Sequence, residues 1–133
     1  MIRVEHIGIA VKDLKKVNDL YSRLFNQSPY KEERVASEAV NTSFFQIGET
    51  KIEFLESDQP DSAISKYVDK NRSGIHHIAF EVADIQLEID RLKGEGFVII
   101  YNPAKLGADN KLITFLHPKS TNGVLVELCQ ELK

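Results

Sequence analysis

The chain has 133 residues, 42% hydrophobic and 28% charged, enough for one domain with its own core and too evenly mixed for disorder. A formal net charge of −3 with no basic run argues against a nucleic-acid partner, and no apolar run approaches a membrane span. A lone cysteine, Cys129, excludes an internal disulfide. With an opening segment that reads as a strand rather than a signal peptide, it predicts a reducing, cytoplasmic setting.

Val4 to Val11 is rich in β-branched residues and predicts a strand. Asp13 is the expected N-cap of a helix over about 13–26, with Leu14, Val17, Tyr21 and Leu24 on its apolar face. Three strands are then expected at Tyr30–Val35, Val40–Ile47 and Thr50–Leu55, with Gly48-Glu49 turning between the last two. Residues 57–62 are linker-like, and a short helix follows to Asn71. The order then repeats. Ile75–Val82 reads as a strand, Asp84 as a cap, and Ile85, Ile89 and Leu92 as the core face of a helix ending near Gly94. Phe97–Tyr101, Leu112–Leu116 and Val124–Cys129 complete the pattern, with a long loop at 102–111. The expected organisation is one domain, 1–133, made of two βαβββ modules at about 1–57 and 73–133. A helix at about 61–71 links them.

The repeat extends to the residues themselves. His6-Ile7-Gly8-Ile9-Ala10-Val11-Lys12-Asp13 is answered by His77-Ile78-Ala79-Phe80-Glu81-Val82-Ala83-Asp84 at an offset of 71, and Lys51-Ile52-Glu53-Phe54-Leu55 by Leu125-Val126-Glu127-Leu128-Cys129 at 74. Each half thus supplies one histidine and one glutamate on strand-like sequence. Period two sets His6 on a face with Gly8 and Ala10, and His77 on one with Ala79, which leaves room for a ligand above them. Glu127 lies mid-strand between apolar residues, where an unpaired carboxylate is costly to bury and a cation would offset the cost. His6, Glu53, His77 and Glu127 are therefore candidate ligands of one divalent metal. His76 faces the other way from His77 and is expected to pack or meet solvent.

These tandem βαβββ halves with their His-x4-Val motifs resemble the vicinal oxygen chelate superfamily, which includes glyoxalase I, extradiol dioxygenases and methylmalonyl-CoA epimerases. Within it the ordered set Gly48–Leu55, Gly74-Ile75-His76-His77-Ile78, Lys105-Leu106-Gly107-Ala108, Phe115–Lys119 and Gly123–Leu128 is most similar to the epimerases. The resemblance implies an α+β fold with a cupped mixed sheet around one metal, here cobalt, manganese, zinc or nickel. It also implies a homodimer and an acyl-CoA thioester substrate, inverted at its α-carbon through a metal-stabilised enediolate. The implied ligands are the same four residues, and the implied proton-transfer groups are Glu127 and a second glutamate from the strand before Glu53. Counting back from Glu53 brings that position to Ser37, with Glu38 one place on. Either a bulge or one-residue gap brings Glu38 to the site, or the second base is absent.

Two other readings share the scaffold. A glyoxalase I-type lyase acting on a glutathione hemithioacetal would use the same ligands, although the Glu-Leu-Thr-His-Asn-Trp signature is missing: Glu53 is followed by Phe54-Leu55-Glu56. A non-catalytic binding protein of the resistance type would need no second base. Lys105, Lys111 and Lys119 read as solvated or as contacts for the phosphates of a CoA tail. His117 reads as a turn-shaping or substrate-contacting residue, Cys129 as a small buried hydrophobe, and Phe44, Phe45 and Phe54 as core.

Overall fold

The computed structural model describes residues 1–132. In chain order its elements are β1 (Arg3–Ala10), α1 (Leu14–Phe25), β2 (Lys31–Val35), β3 (Val40–Ile47), β4 (Thr50–Glu56), α2 (Ala63–Asn71), β5 (Gly74–Glu81), α3 (Ile85–Gly94), β6 (Lys105–Leu106), β7 (Lys111–Leu116) and β8 (Val126–Glu131). Short 3-10 turns occupy Ala36–Glu38, Ala108–Asn110 and Pro118–Ser120. The class is α+β. Two compact units are distinguished: Ile7–His76, and Met1–His6 together with the chain from His77 onward.

In the unit Ile7–His76 the strand order is β2-β3-β4-β1. β3 pairs antiparallel with both β2 and β4, and Ile47 faces Thr50 across the Gly48-Glu49 turn. Gly48 takes φ 60° there, which a side chain rarely tolerates. α1 starts where the sequence puts it, because Asp13 accepts a hydrogen bond from Lys16 N at 3.1 Å and Glu56 accepts one from Leu14 N at 2.8 Å. Phe45 and Phe54 are fully buried with Val11 and Leu14, and Val17, Tyr21 and Phe25 pack against them. The expected apolar face needs one correction: Leu24 is 68% exposed. Phe25 takes its place, edge-on to Phe45 with ring centroids 5.2 Å apart. A step of four from Tyr21 keeps an aromatic on the buried stripe, whereas a step of three turns Leu24 outward. α2 is capped by Ser62, whose hydroxyl accepts from Ser65 N, and buries Ile64 and Val68.

In the other unit the strand order is β1-β5-β8-β7-β6. β5 and β8 run parallel with Ala79 opposite Glu127, while β7 pairs antiparallel with β8 and β6, so the pairing is mixed. Asp84 caps α3 by accepting from Leu87 N at 3.1 Å, and Gln130 accepts from Ile85 N at 2.8 Å. Ile85, Ile89 and Leu92 are buried as expected, against Val82, Leu116 and Leu128.

Phe97–Tyr101 does not form the expected strand. Among the described residues it keeps an isolated Ile99–Leu116 bridge, and the N–H and C=O of Tyr101 both bond the Thr114 hydroxyl, at 3.1 and 2.8 Å. One side chain thus satisfies backbone groups that a ladder would otherwise pair. The short β6 forms instead, inside the segment expected to be a loop, and pairs with Leu112 and Ile113.

Gly107 follows β6, and a Cβ built there would lie 2.7–3.0 Å from three atoms of the Ile113 side chain. Ile113 is packed against Ala79 and Cys129 and has little room to retreat. Gly107→Ala is therefore expected to lower stability by about 1–3 kcal/mol, measured by urea denaturation. The cost should shrink when Ile113→Val is added, since that removes the nearest atom.

Candidate metal centre

Three of the four candidate ligands converge within the unit formed by Met1–His6 and the chain from His77 onward. His6 comes from β1, His77 from β5 and Glu127 from β8. The parallel register sets small Ala79 opposite Glu127 and two residues past His77 on the same face. The His6 and His77 Nε2 atoms are 3.1 Å apart, and Glu127 Oε1 lies 3.4 Å from the first and 3.1 Å from the second. The imidazole planes stand at 87° to each other, and His77 is braced edge-on by Phe115 with centroids 5.7 Å apart. All three side chains are buried.

That donor triangle fits a cation. Nitrogen and oxygen ligands held about 2.0–2.2 Å from one ion lie roughly 3.0–3.5 Å from one another in octahedral or tetrahedral geometry. Two imidazoles and a carboxylate suit borderline divalent ions, and ligand type alone does not choose among cobalt, manganese, zinc and nickel. The same three atoms can also share protons. Burial by itself pushes the Glu127 carboxyl up, but the charge on His6 and hydrogen bonds from both histidines outweigh it. They hold the group well below the usual carboxylate range.

The remaining candidates lie in the unit Ile7–His76. Glu53 is buried on β4 opposite Phe44 of β3. Glu38 closes the 3-10 turn between β2 and β3, just before Ala39 at φ 56°. The departure expected near Ser37 is thus a turn rather than a slipped strand, and period-two facing does not apply to Glu38.

Sequence reasoning missed two residues beside the triangle. Glu5 is fully buried and its Oε1 lies 2.8 Å from His6 Nδ1. Lys111, expected to be solvated or to meet phosphate, is buried, with its Nζ 3.4 Å from Asp109 and 3.9 Å from Glu5 Oε2. Period two does set Glu5 on a face with Ile7 and Ile9, and Lys111 on one with Ile113 and Phe115, but a charged residue next to a strand terminus ordinarily reads as exposed.

The plain readings fare better. His117 Nδ1 accepts from Lys119 N and shapes the Pro118–Ser120 turn. His76 is half-buried and stacks edge-on with Tyr67. Cys129 is buried in an apolar cluster with Ala79 and Ile113. Lys105 sits 4.1 Å over the Tyr101 ring, and Phe44, Phe45 and Phe54 are core.

The sequence profile of the glyoxalase/bleomycin resistance protein/dioxygenase superfamily matches residues 5–115. The chain belongs to this superfamily. Among its relatives in the superfamily, the mitochondrial methylmalonyl-CoA epimerase of Dictyostelium discoideum is 40% identical over 127 residues, 95% of this chain and 76% of that protein. The ethylmalonyl-CoA/methylmalonyl-CoA epimerase of Cereibacter sphaeroides is 38% identical over 130 residues, 96% and 97% of the two chains. A structure of Streptomyces coelicolor methylmalonyl-CoA epimerase in complex with 2-nitronate-propionyl-CoA superposes with a TM-score of 0.96. It is 32% identical and covers 100% of this chain and 99% of that one. The glyoxalase-type fold expected from the sequence is the fold of the chain.

A depressed carboxyl makes a signed prediction. Because the folded value lies below the ordinary 4.5, the stabilisation is present above that value and is lost as the pH falls below it. In chelator-treated protein the Tm difference between wild type and Glu127→Gln is expected to hold at about pH 5–6 and to move in favour of the variant as acid is added. A difference unchanged down to about pH 3 would contradict the assigned cause.

Proposed function

We propose that the chain is a metal-dependent acyl-CoA epimerase of the methylmalonyl-CoA type. The observation that carries this reading is the convergence of His6, His77 and Glu127 on one buried point. Methylmalonyl-CoA epimerases that match nearly the whole of this chain support it. So does a similar structure, a methylmalonyl-CoA epimerase in complex with methylmalonyl-CoA and NH4+, 32% identical to this chain.

In this reading His6, His77, Glu127 and Glu53 would hold the divalent ion, Glu53 being assigned by its place in the internal repeat. When bound, the ion supplies a Lewis acid for the charge that develops on the thioester oxygen as the α-proton leaves. The protein's own work is to move that proton. Inversion needs removal from one face of the carbon and return on the other, hence two groups. Glu127 would be one, with Oε1, the oxygen that faces both histidines, toward the ion and the other oxygen taking the proton. A ligand carboxylate is ionised, and so has a lone pair with which to accept. Glu38 is the second, carried by its turn rather than by a strand. Burial of the histidines excludes water that would otherwise compete for the exchanged proton.

The whole chain, 1–133, is read as one domain of two modules. The homodimer implied by the resemblance and the cytoplasmic setting implied by the lone cysteine belong to the same proposal. The described residues contain no helix long and apolar enough to cross a membrane.

The test is α-proton exchange. Metal-reconstituted protein is incubated with methylmalonyl-CoA in deuterium oxide, and deuterium uptake and stereochemistry are followed. Rapid metal-dependent uptake with inversion is expected, falling by roughly 10²–10⁴-fold in Glu127→Ala. Glu38→Gln is expected to retain uptake on one face and lose inversion. Absence of uptake together with hemithioacetal isomerisation would transfer the assignment to a lyase. Ligand binding without either reaction would leave a binding protein.

A further inference from the structure

We propose that Glu5 is the positioning residue of the metal centre. Its carboxylate accepts the Nδ1 proton of His6 and so turns the Nε2 lone pair toward the ion, with Lys111 as its counter-charge. The inference rests on the metal reading above and deepens it.

Neighbours along an extended strand direct their side chains to opposite faces. Adjacency alone therefore does not bring Glu5 and His6 together, yet Glu5 Oε1 lies 2.8 Å from His6 Nδ1. Both side chains are out of solvent, and a buried carboxylate is retained only where hydrogen bonds and opposite charge compensate its desolvation. His6 and Lys111 approach Glu5 differently. Lys111 Nζ approaches the other oxygen of Glu5 only to 3.9 Å, beyond hydrogen-bonding range, so its contribution is charge, while His6 receives the directional contact. Lys111 is itself tethered to Asp109, 3.4 Å away at the turn that leads into β7.

The geometry assigns a division of labour. Neutral imidazole carries one proton, and the nitrogen that keeps it is decided by its acceptor. With Glu5 on Nδ1, the lone pair is left on Nε2, the atom that faces His77 Nε2 at 3.1 Å and Glu127 Oε1 at 3.4 Å. A carboxylate on the far nitrogen of a ligand histidine also fixes the ring plane and strengthens the donor.

Zinc is the probe. It is diamagnetic, so the ring protons of a loaded, ¹⁵N-labelled sample can be read by NMR, and its affinity follows from competition with a chromophoric chelator. Zinc-loaded wild type is expected to show His6 bound through Nε2, with a downfield, slowly exchanging Nδ1 proton. Glu5→Met combined with Lys111→Met removes both charges at near-constant volume, which guards against unfolding by a stranded ammonium. It is expected to keep a wild-type-like Tm, lose the protected Nδ1 signal, and bind zinc roughly 10–100-fold more weakly. Glu5→Gln retains an acceptor oxygen and is expected to recover part of that affinity. Lys111→Met alone should lower the Tm while leaving the His6 signal in place.

Wild-type zinc affinity in the double variant would overturn the role of Glu5. So would a wild-type spectrum with His6 bound through Nδ1, a result that needs no variant to fold. Failure of the wild type to bind zinc would instead remove the metal reading itself.

Discussion

Two carboxylates, two imidazoles and an ammonium are withdrawn from water inside one compact unit, and the site depends on how those charges balance. Glu5, His6, His77, Lys111 and Glu127 are each at most 6% exposed. Moving an ion such as Glu5, Lys111 or Glu127 into a protein interior alone costs several kcal/mol, so none of these three is tolerable without its neighbours. The contacts of 2.8–3.4 Å that join Glu5, His6, His77 and Glu127 are the compensation. Strands β1, β5 and β8 make it reproducible. Hydrogen-bonded rungs fix where each Cα stands, and small Ala79 leaves the volume into which the imidazoles and the carboxylate turn. Phe115, paired across from Glu127 and edge-on to His77, closes that volume on another side.

The internal repeat is physical as well as textual. In one unit Asp13 caps α1, Glu56 accepts from its first N–H, and Val11 N donates to Leu55 O. In the other Asp84 caps α3, Gln130 accepts from its first N–H, and Val82 N donates to Cys129 O. The same two-point clamp fastens a helix to the last strand twice. The helix directions, and with them the ends of the histidine strands, are held by the same local device in each copy.

Much of this was legible in the amino-acid order because it is local. Asp13, Ser62 and Asp84 mark helix starts by supplying an acceptor that the first turn lacks, and Ile85, Ile89 and Leu92 mark a buried stripe by spacing. His6, His77 and Glu127 stand out because the repeat lines them up, and they do converge. What escaped was non-local. Leu24 and Phe25 are both apolar at an admissible spacing, and only the presence of Phe45 opposite decides between them. Phe97–Tyr101 has strand composition, yet a single hydroxyl from Thr114 takes both backbone groups of Tyr101. Glu5 and Lys111 are charged and look solvated. They become a pair only when a residue near one end of the chain meets one more than a hundred positions away.

The division of the chain at His6 and His77 carries a consequence for how this architecture tolerates change. The whole segment Ile7–His76 is one uninterrupted excursion between two adjoining pieces of the other unit. For the donor triangle, that excursion is a closing loop. The entropy of closing a loop grows only logarithmically, about 0.6 kcal/mol for each doubling of its length. Insertions or deletions in turns such as Gly48-Glu49 therefore tax the triangle very little, so long as the excursion still folds. Length can vary within the segment Ile7–His76 while three donor atoms, 71 and 50 residues apart in succession, keep their spacing.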